Sequence, residues 1–286
     1  MRSKTSIATA ITLALLAGSV ATAEAQSWKT INKSRKRRSQ EFLDVKIKYA
    51  VGRFEVSRGS DNQLYRLDSR YDEDVFNLTS SYLESDRRGQ LVIDIDGKND
   101  LDDVDYDYEA GHLRLDLTGE TPLSLSMKFG AAEARLDLGG LRLQNLLLET
   151  GASDTHVSFS EPNRETAEYC TFKAGAAAFK VEDLGNSGCE NISVSGGVGK
   201  LALDFSGKWK NDAKADINVG LGTIEISVPA ELGVRIDKST FLMSFKAPGF
   251  EKQDGGVWVS RNWDTAKHRL TVSVSGAFGG VTVARL

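Results

Sequence analysis

The stretch GAAEARLDL, from Gly130 to Leu138, decides the fold, because near copies of it recur. They are GASDTHVSF at Gly151, GAAAFKVED at Gly175, GVGKLALDF at Gly197 and GLGTIEISV at Gly220, at spacings of 21, 24, 22 and 23 residues. With each leading glycine set to zero, position +4 holds Ala134, Thr155, Phe179, Leu201 and Ile224. Position +6 holds Leu136, Val157, Val181, Leu203 and Ile226. The intervening +5 and +7 positions are mostly polar, among them Arg135, His156, Lys180, Asp137, Glu182 and Asp204. That is the period-two alternation of a half-buried strand.

A second alternating run precedes each glycine. Counting back to −3 and −5 gives the pairs Met127/Leu125, Leu148/Leu146, Phe172/Cys170, Val194/Ile192 and Ile217/Ala215, all inward. Each unit of about 22 residues therefore supplies two short strands joined at Gly130, Gly151, Gly175, Gly197 or Gly220, where small residues relieve a tight bend. One such unit cannot cover its own apolar face, so the units must stack. Two further copies flank the block: LDVKIKYAVGRFEV from Leu43, with Ala50 at zero, and LTVSVSGAFGGVTV from Leu270, with Ala277 at zero. The intervals between hold their own strands, QLYRLDSRY, QLVIDID, GVRIDKSTF and GGVWVSR. The expected fold is all-β, a β-solenoid-like stack of two-strand repeats over 123–286, with a less regular N-terminal β part over 43–122 and a cap near Trp258 and Trp263.

Composition agrees: 286 residues with 40% apolar and 27% charged side chains is globular, and 27 glycines against 4 prolines suit glycine-turned β structure. Arg2 and Lys4 precede an uncharged run ending in Ala23-Glu24-Ala25, the small-x-small form of a signal-peptidase site. Residues 1–25 read as a signal peptide cleaved before Gln26, with an uncleaved membrane anchor as the alternative. The expected localisation is exported: periplasmic, cell-surface or secreted. Residues 26–42 read as a basic flexible tail in which Lys33, Arg35, Lys36, Arg37 and Arg38 could contact an anionic surface. Nucleic acid is not an expected partner, since the chain carries a formal net charge of −4.

The segments VGRFEVSRGSDNQLYRLDSRYDEDVFNLTSSYLESDRRGQLVIDI and TPLSLSMKFGAAEARLDLGGLRLQNLLLETGASDTHVSF resemble the toast-rack domain and the neighbouring "putative adhesin" β repeats of cell-wall-active antibiotic response (LiaF-like) proteins. The likeness runs from about Leu43 to Leu286 and rests on turn glycines and alternating strands. It implies an envelope-facing β-repeat domain that acts, in some members, with membrane signalling partners. The better-known members carry several transmembrane helices before the domain, whereas this chain has one signal-like segment.

Chemistry is sparse. His112, His156 and His268 lie on separate strand-like segments without metal-ligand spacing. No nucleophile elbow or phosphate loop is present; GVGKLAL at Gly197 belongs to the repeat. Asp137, Glu182 and Asp204, beside Arg135 and Lys180, could converge as acid and base in a carbohydrate-active β-solenoid enzyme. Solubility and cross-strand pairing give the same pattern. The acidic stretch DIDGKNDLDDVDYDYEAGH lacks the EF-hand order. It reads as a solvated loop, with Asp100, Asp102, Asp103 and Asp105 as weak calcium candidates; no other cofactor is expected. Cys170 and Cys189 sit about one repeat apart, close enough across stacked strands for a disulfide, although Cys170 also suits a small buried residue. The expected function is a non-enzymatic exported protein that binds a cell-envelope component or a protein partner, with the carbohydrate-active enzyme as the alternative.

Overall fold

The computed structural model describes residues 27–98 and 111–286. Among these, the chain forms strands β1 (Trp28–Lys36), β2 (Phe42–Arg58), β3 (Gln63–Asp72), β4 (Phe76–Ser85), β5 (Arg88–Gly97) and β6 (His112–Leu117), followed by β7 (Leu123–Asp137), β8 (Leu143–Ser158) and β9 (Ala167–Glu182). Then come β10 (Cys189–Asp204), β11 (Ala213–Val228), β12 (Gly233–Lys246), β13 (Phe250–Lys252), β14 (Val257–Ser260) and β15 (Arg269–Arg285).

Each repeat is one long strand with a corner, where two separate short strands were expected. The inward set changes parity at the corner, from −3 and −5 to +4 and +6, and all twenty of those positions in the five glycine-led repeats are buried. Such a switch is possible only if the strand bends so that both halves face one core. Ring contacts across the core agree: Phe172 of the first half of β9 meets Phe179 of the second half at 5.9 Å, and Phe129 meets Phe54 at 5.4 Å. Burying three or four apolar side chains per unit at these positions, at about 1.5–3 kcal/mol each, is a gain that neighbouring coils share. On the side opposite the corner, buried Asn163 and Asn186 hold the connections. Asn163 donates to the Leu143 and Ser187 carbonyls, and Asn186 donates to that of Phe159, all at 2.8 Å.

The long strands run parallel, in the order β2, β7, β8, β9, β10, β11, β15, β12. Two features of that order were not evident from the repeat. The C-terminal strand β15 lies between β11 and β12, pairing Asn218 with Ser275 on one side and Ser239 with Ser275 on the other. At the other end, β5 pairs with the first half of β2 and β6 with its second half, so β5 and β6 together make a split outermost coil. The acidic residues 99–110, which include Asp100, Asp102, Asp103 and Asp105, fall between these two strands and lie outside the described residues. β2 pairs directly with β7, so the less regular N-terminal part and the regular repeats share one continuous core.

Residues 28–36, expected within a flexible tail, instead form edge strand β1, antiparallel to β3. Three of its four basic side chains turn to the chain itself. Lys29 pairs with Glu73 at 2.9 Å, Lys33 donates to the Ser80 carbonyl of β4, and the Arg35 guanidinium stacks on Tyr82 at 3.9 Å. Alternation with charged residues hid this strand. An edge strand carries such charges because they discourage further pairing.

Candidate binding surface

The corners of successive coils align into a ridge along the stack axis. Its spine is the zero position: Ala50, Gly130, Gly151, Gly175, Gly197, Gly220 and Ala277, with Phe241 of β12 as the last member by register. A Cβ at Gly197 or Gly220 would lie 2.8 Å from the carbonyl oxygen of the preceding glycine, which explains the small residues there. The sharpest constraint lies two residues further on. Gly52, Gly199, Gly222 and Gly279 have φ of 123°, 140°, 148° and 131°, a region that side chains rarely enter. The other coils place Ala132, Ser153, Ala177 and Met243 at this position, and none of these is a positive-φ residue.

Over β2, β7, β8 and β9 the ridge carries a shallow trough of about 520 Å³. Its floor is the backbone at Ala50, Gly130, Gly151 and Gly175, and its rim is Lys48, Lys128, Glu149 and Lys173. The rim residues are the −2 positions of neighbouring strands, brought side by side by parallel register. Glu149 accepts from Lys128 at 2.6 Å and Lys173 at 2.8 Å. These two ammonium groups, Lys128 first, hold its carboxyl below the usual carboxylate range. Lys48 pairs with Asp96 at 2.8 Å. The opposite rim follows the +1 positions, Val51, Ala131, Ala152 and Ala176 beside the trough and then the larger Val198, Leu221, Phe278 and Leu242 further along the axis. The last four are exposed, as is Phe241.

The residues considered for catalysis are engaged elsewhere. Asp137 accepts from Gly139 N, Ser160 N and Ser160 Oγ, and so fixes a turn; Asp204 does the same for Ser206. Glu182 is held by Lys180 and by His156 Nε2 at 2.5 Å, and its carboxyl lies below the usual range, with the Lys180 hydrogen bond as the largest cause. Arg135 reaches Glu133 at 3.1 Å. A second, polar cleft of about 530 Å³ on the outer face includes Arg53, Arg66, Asp68, His112 and Arg114, where Arg66–Asp68 and Arg114–Asp116 are ion-paired. Among the described residues no group of three His, Cys, Asp or Glu is placed to hold a metal ion. His268 lies just before β15, away from the other two histidines in chain and strand order. Cys170 and Cys189 are joined as a disulfide with a Cα separation of 6.0 Å. The bond links β9 to β10 diagonally, since Cys170 is level with Ile192 and Cys189 with Ala167. Both cysteines are buried.

The family described as the N-terminal domain of toast_rack, DUF2154, matches residues 21–182 and again 171–227, most of the chain. The chain belongs to this toast-rack family. The two overlapping matches fit a molecule built from repeated coils, and the toast-rack stack accounts for the unclosed sheet of parallel strands. Among solved structures, the chain is similar to a "putative cell adhesion protein" from Clostridium sporogenes, at 18% identity and TM-score 0.51, covering 91% of this chain and 100% of that one. It is also similar to a "putative adhesin" from Bacteroides fragilis, at 12% identity and TM-score 0.37, covering 90% and 97%. No curated protein sequence matches the chain. Among the described residues of the toast-rack stack, no helix is long and apolar enough to cross a membrane.

Proposed function

We propose that this toast-rack protein is exported and works without catalysis, binding a cell-envelope component or a protein partner in the trough on its corner ridge. The observation that carries the reading is the trough itself. Four consecutive coils present bare glycine and alanine backbone to solvent, flanked by a row of lysines and one glutamate. Concave surface with a few convergent polar groups is where ligands bind. The carboxylates that an enzyme of this shape would need are committed to turns and ion pairs. The signal-like residues 1–25 support a binding event outside the cytoplasm, and the family resemblance supports a role in the envelope stress response.

A photo-reactive residue at position 128 or 173, in intact cells, is expected to give one discrete adduct of the same added mass from both sites. The same residue at exposed position 214, on the outer face of β11, is expected to give none. No adduct from 128 and 173, or equal labelling from 214, would remove the trough from the account.

A further inference from the structure

Among the described residues the stack has four open sheet edges, and three are guarded. β1 carries Lys29, Lys33, Arg35 and Lys36, β4 has its Ser80 carbonyl covered by Lys33, and β13 is three residues long. Short and lysine-rich edges resist further pairing. The fourth edge is the second half of β12. β14 pairs only with Arg235, Ile236 and Asp237, so from Phe241 to Lys246 the strand is paired on the β15 side alone. Every second backbone N–H and C=O there faces outward without a partner strand among the described residues. The same segment carries Phe241, 79% exposed, and Leu242, 59% exposed, at the end of the apolar row Val198, Leu221 and Phe278. On its −2 side that row is flanked by Ser195, Asn218, Ser275 and Ser239, all uncharged, and on its +3 side by Thr223, Gly280 and Ser244, with Lys200 there paired to Glu225 at 2.9 Å. An apolar open edge of this kind is a template for an added strand.

We propose that this edge pairs antiparallel with the same edge of a second copy, about a two-fold axis at Met243. This surface is distinct from the trough. Charge favours a second copy in this register. Lys246 is the only ionisable residue from 241 to 246, and the two-fold sets it opposite residue 240 of the second copy, a threonine, so no like charges meet. The β1 edge, with Lys29, Lys33, Arg35 and Lys36, could not pair with itself in this way. Side-chain parity is also satisfied: Met243 is buried in the core and Phe245, half-buried, packs against it and on Trp258 at 5.3 Å. The two-fold brings Phe241 of the second copy level with Phe245, at the end of that core. Two sheets become one, and the most exposed large hydrophobic side chain among the described residues is covered.

Sedimentation equilibrium of the full exported chain, across micromolar concentrations, is expected to show a monomer–dimer equilibrium. Phe241→Asp should weaken association at least tenfold without changing the circular dichroism spectrum, while Phe241→Leu should retain it. Facing residues of an antiparallel pair have Cα atoms about 4.5–5.5 Å apart, within disulfide range. Met243→Cys should therefore form a disulfide-linked dimer under mild oxidation, and Ser195→Cys should not. A folded chain that stays monomeric throughout, a dimer untouched by Phe241→Asp, or a monomer that binds zwitterionic vesicles through Phe241 would each overturn the proposal. None of these outcomes bears on trough labelling at 128 and 173.

Discussion

Gly222→Ala is expected to destabilise the protein by about 3–5 kcal/mol, the joint cost of a forbidden backbone angle and an overpacked contact. Gly222 has φ 148°, and a Cβ built there would lie 1.9 Å from the carbonyl oxygen of Gly199. That oxygen cannot swing aside, because Gly199 sits in the ladder between β9 and β11. Gly151→Ala is the control. It occupies the corner of β8 with no positive φ, and its added Cβ would lie 3.1 Å from the Gly130 oxygen, so a loss of no more than about 1.5 kcal/mol is expected. Urea unfolding of both variants separates the two positions. Equal losses would mean that the bend is set at the leading glycine, contrary to the geometry described.

Removal of the disulfide has the next largest expected effect. Cys170→Ala/Cys189→Ala opens a covalent loop with a sequence separation of 19, worth roughly 3 kcal/mol in the chain-entropy picture. For a chain of this size that corresponds to a fall in melting temperature of about 6–12 °C. Both side chains are buried at the β9–β10 step, so the double variant also loses packing there. Thiol titration of the denatured, unreduced protein should find no free thiol. A melting temperature unchanged by the double substitution would show that the bond constrains little in the unfolded chain.

The inward positions of the stack were legible because they obey a strict period of two on both sides of a recurring small residue. The register of the ladders follows the alignment of those glycines residue for residue, from Gly130 to Gly220. Three things escaped that reading for physical reasons. The positive-φ glycines Gly52, Gly199, Gly222 and Gly279 stand beside the obvious ones, and only the backbone angles tell them apart. β12 hid because Phe241 and Met243 stand where its neighbours carry glycine or another small residue, so its first half, GVRIDKSTF, looked like a lone strand. Strand order cannot be read from local alternation at all: β15 carries the same inward pattern whether it follows β12 at the end of the stack or slips in beside β11. The trough was half visible. Its floor glycines were the opening observation, while its rim of Lys48, Lys128, Glu149 and Lys173 lies at scattered chain positions that only parallel register brings together.

The claim on which the whole arrangement depends is that the C-terminal strand threads between β11 and β12, closing the stack around its own end and setting β12 at the open edge. Paired cysteines on the outward-facing −2 row test it directly. Neighbouring strands lie about 4.8 Å apart and alternate ones about twice that, beyond disulfide reach. Under mild oxidation, Asn218→Cys/Ser275→Cys is expected to form an intramolecular disulfide seen by peptide mapping, and Asn218→Cys/Ser239→Cys is expected to stay reduced. Ready closure of the 218–239 pair with failure of the 218–275 pair would place β12 beside β11 and contradict the threaded order.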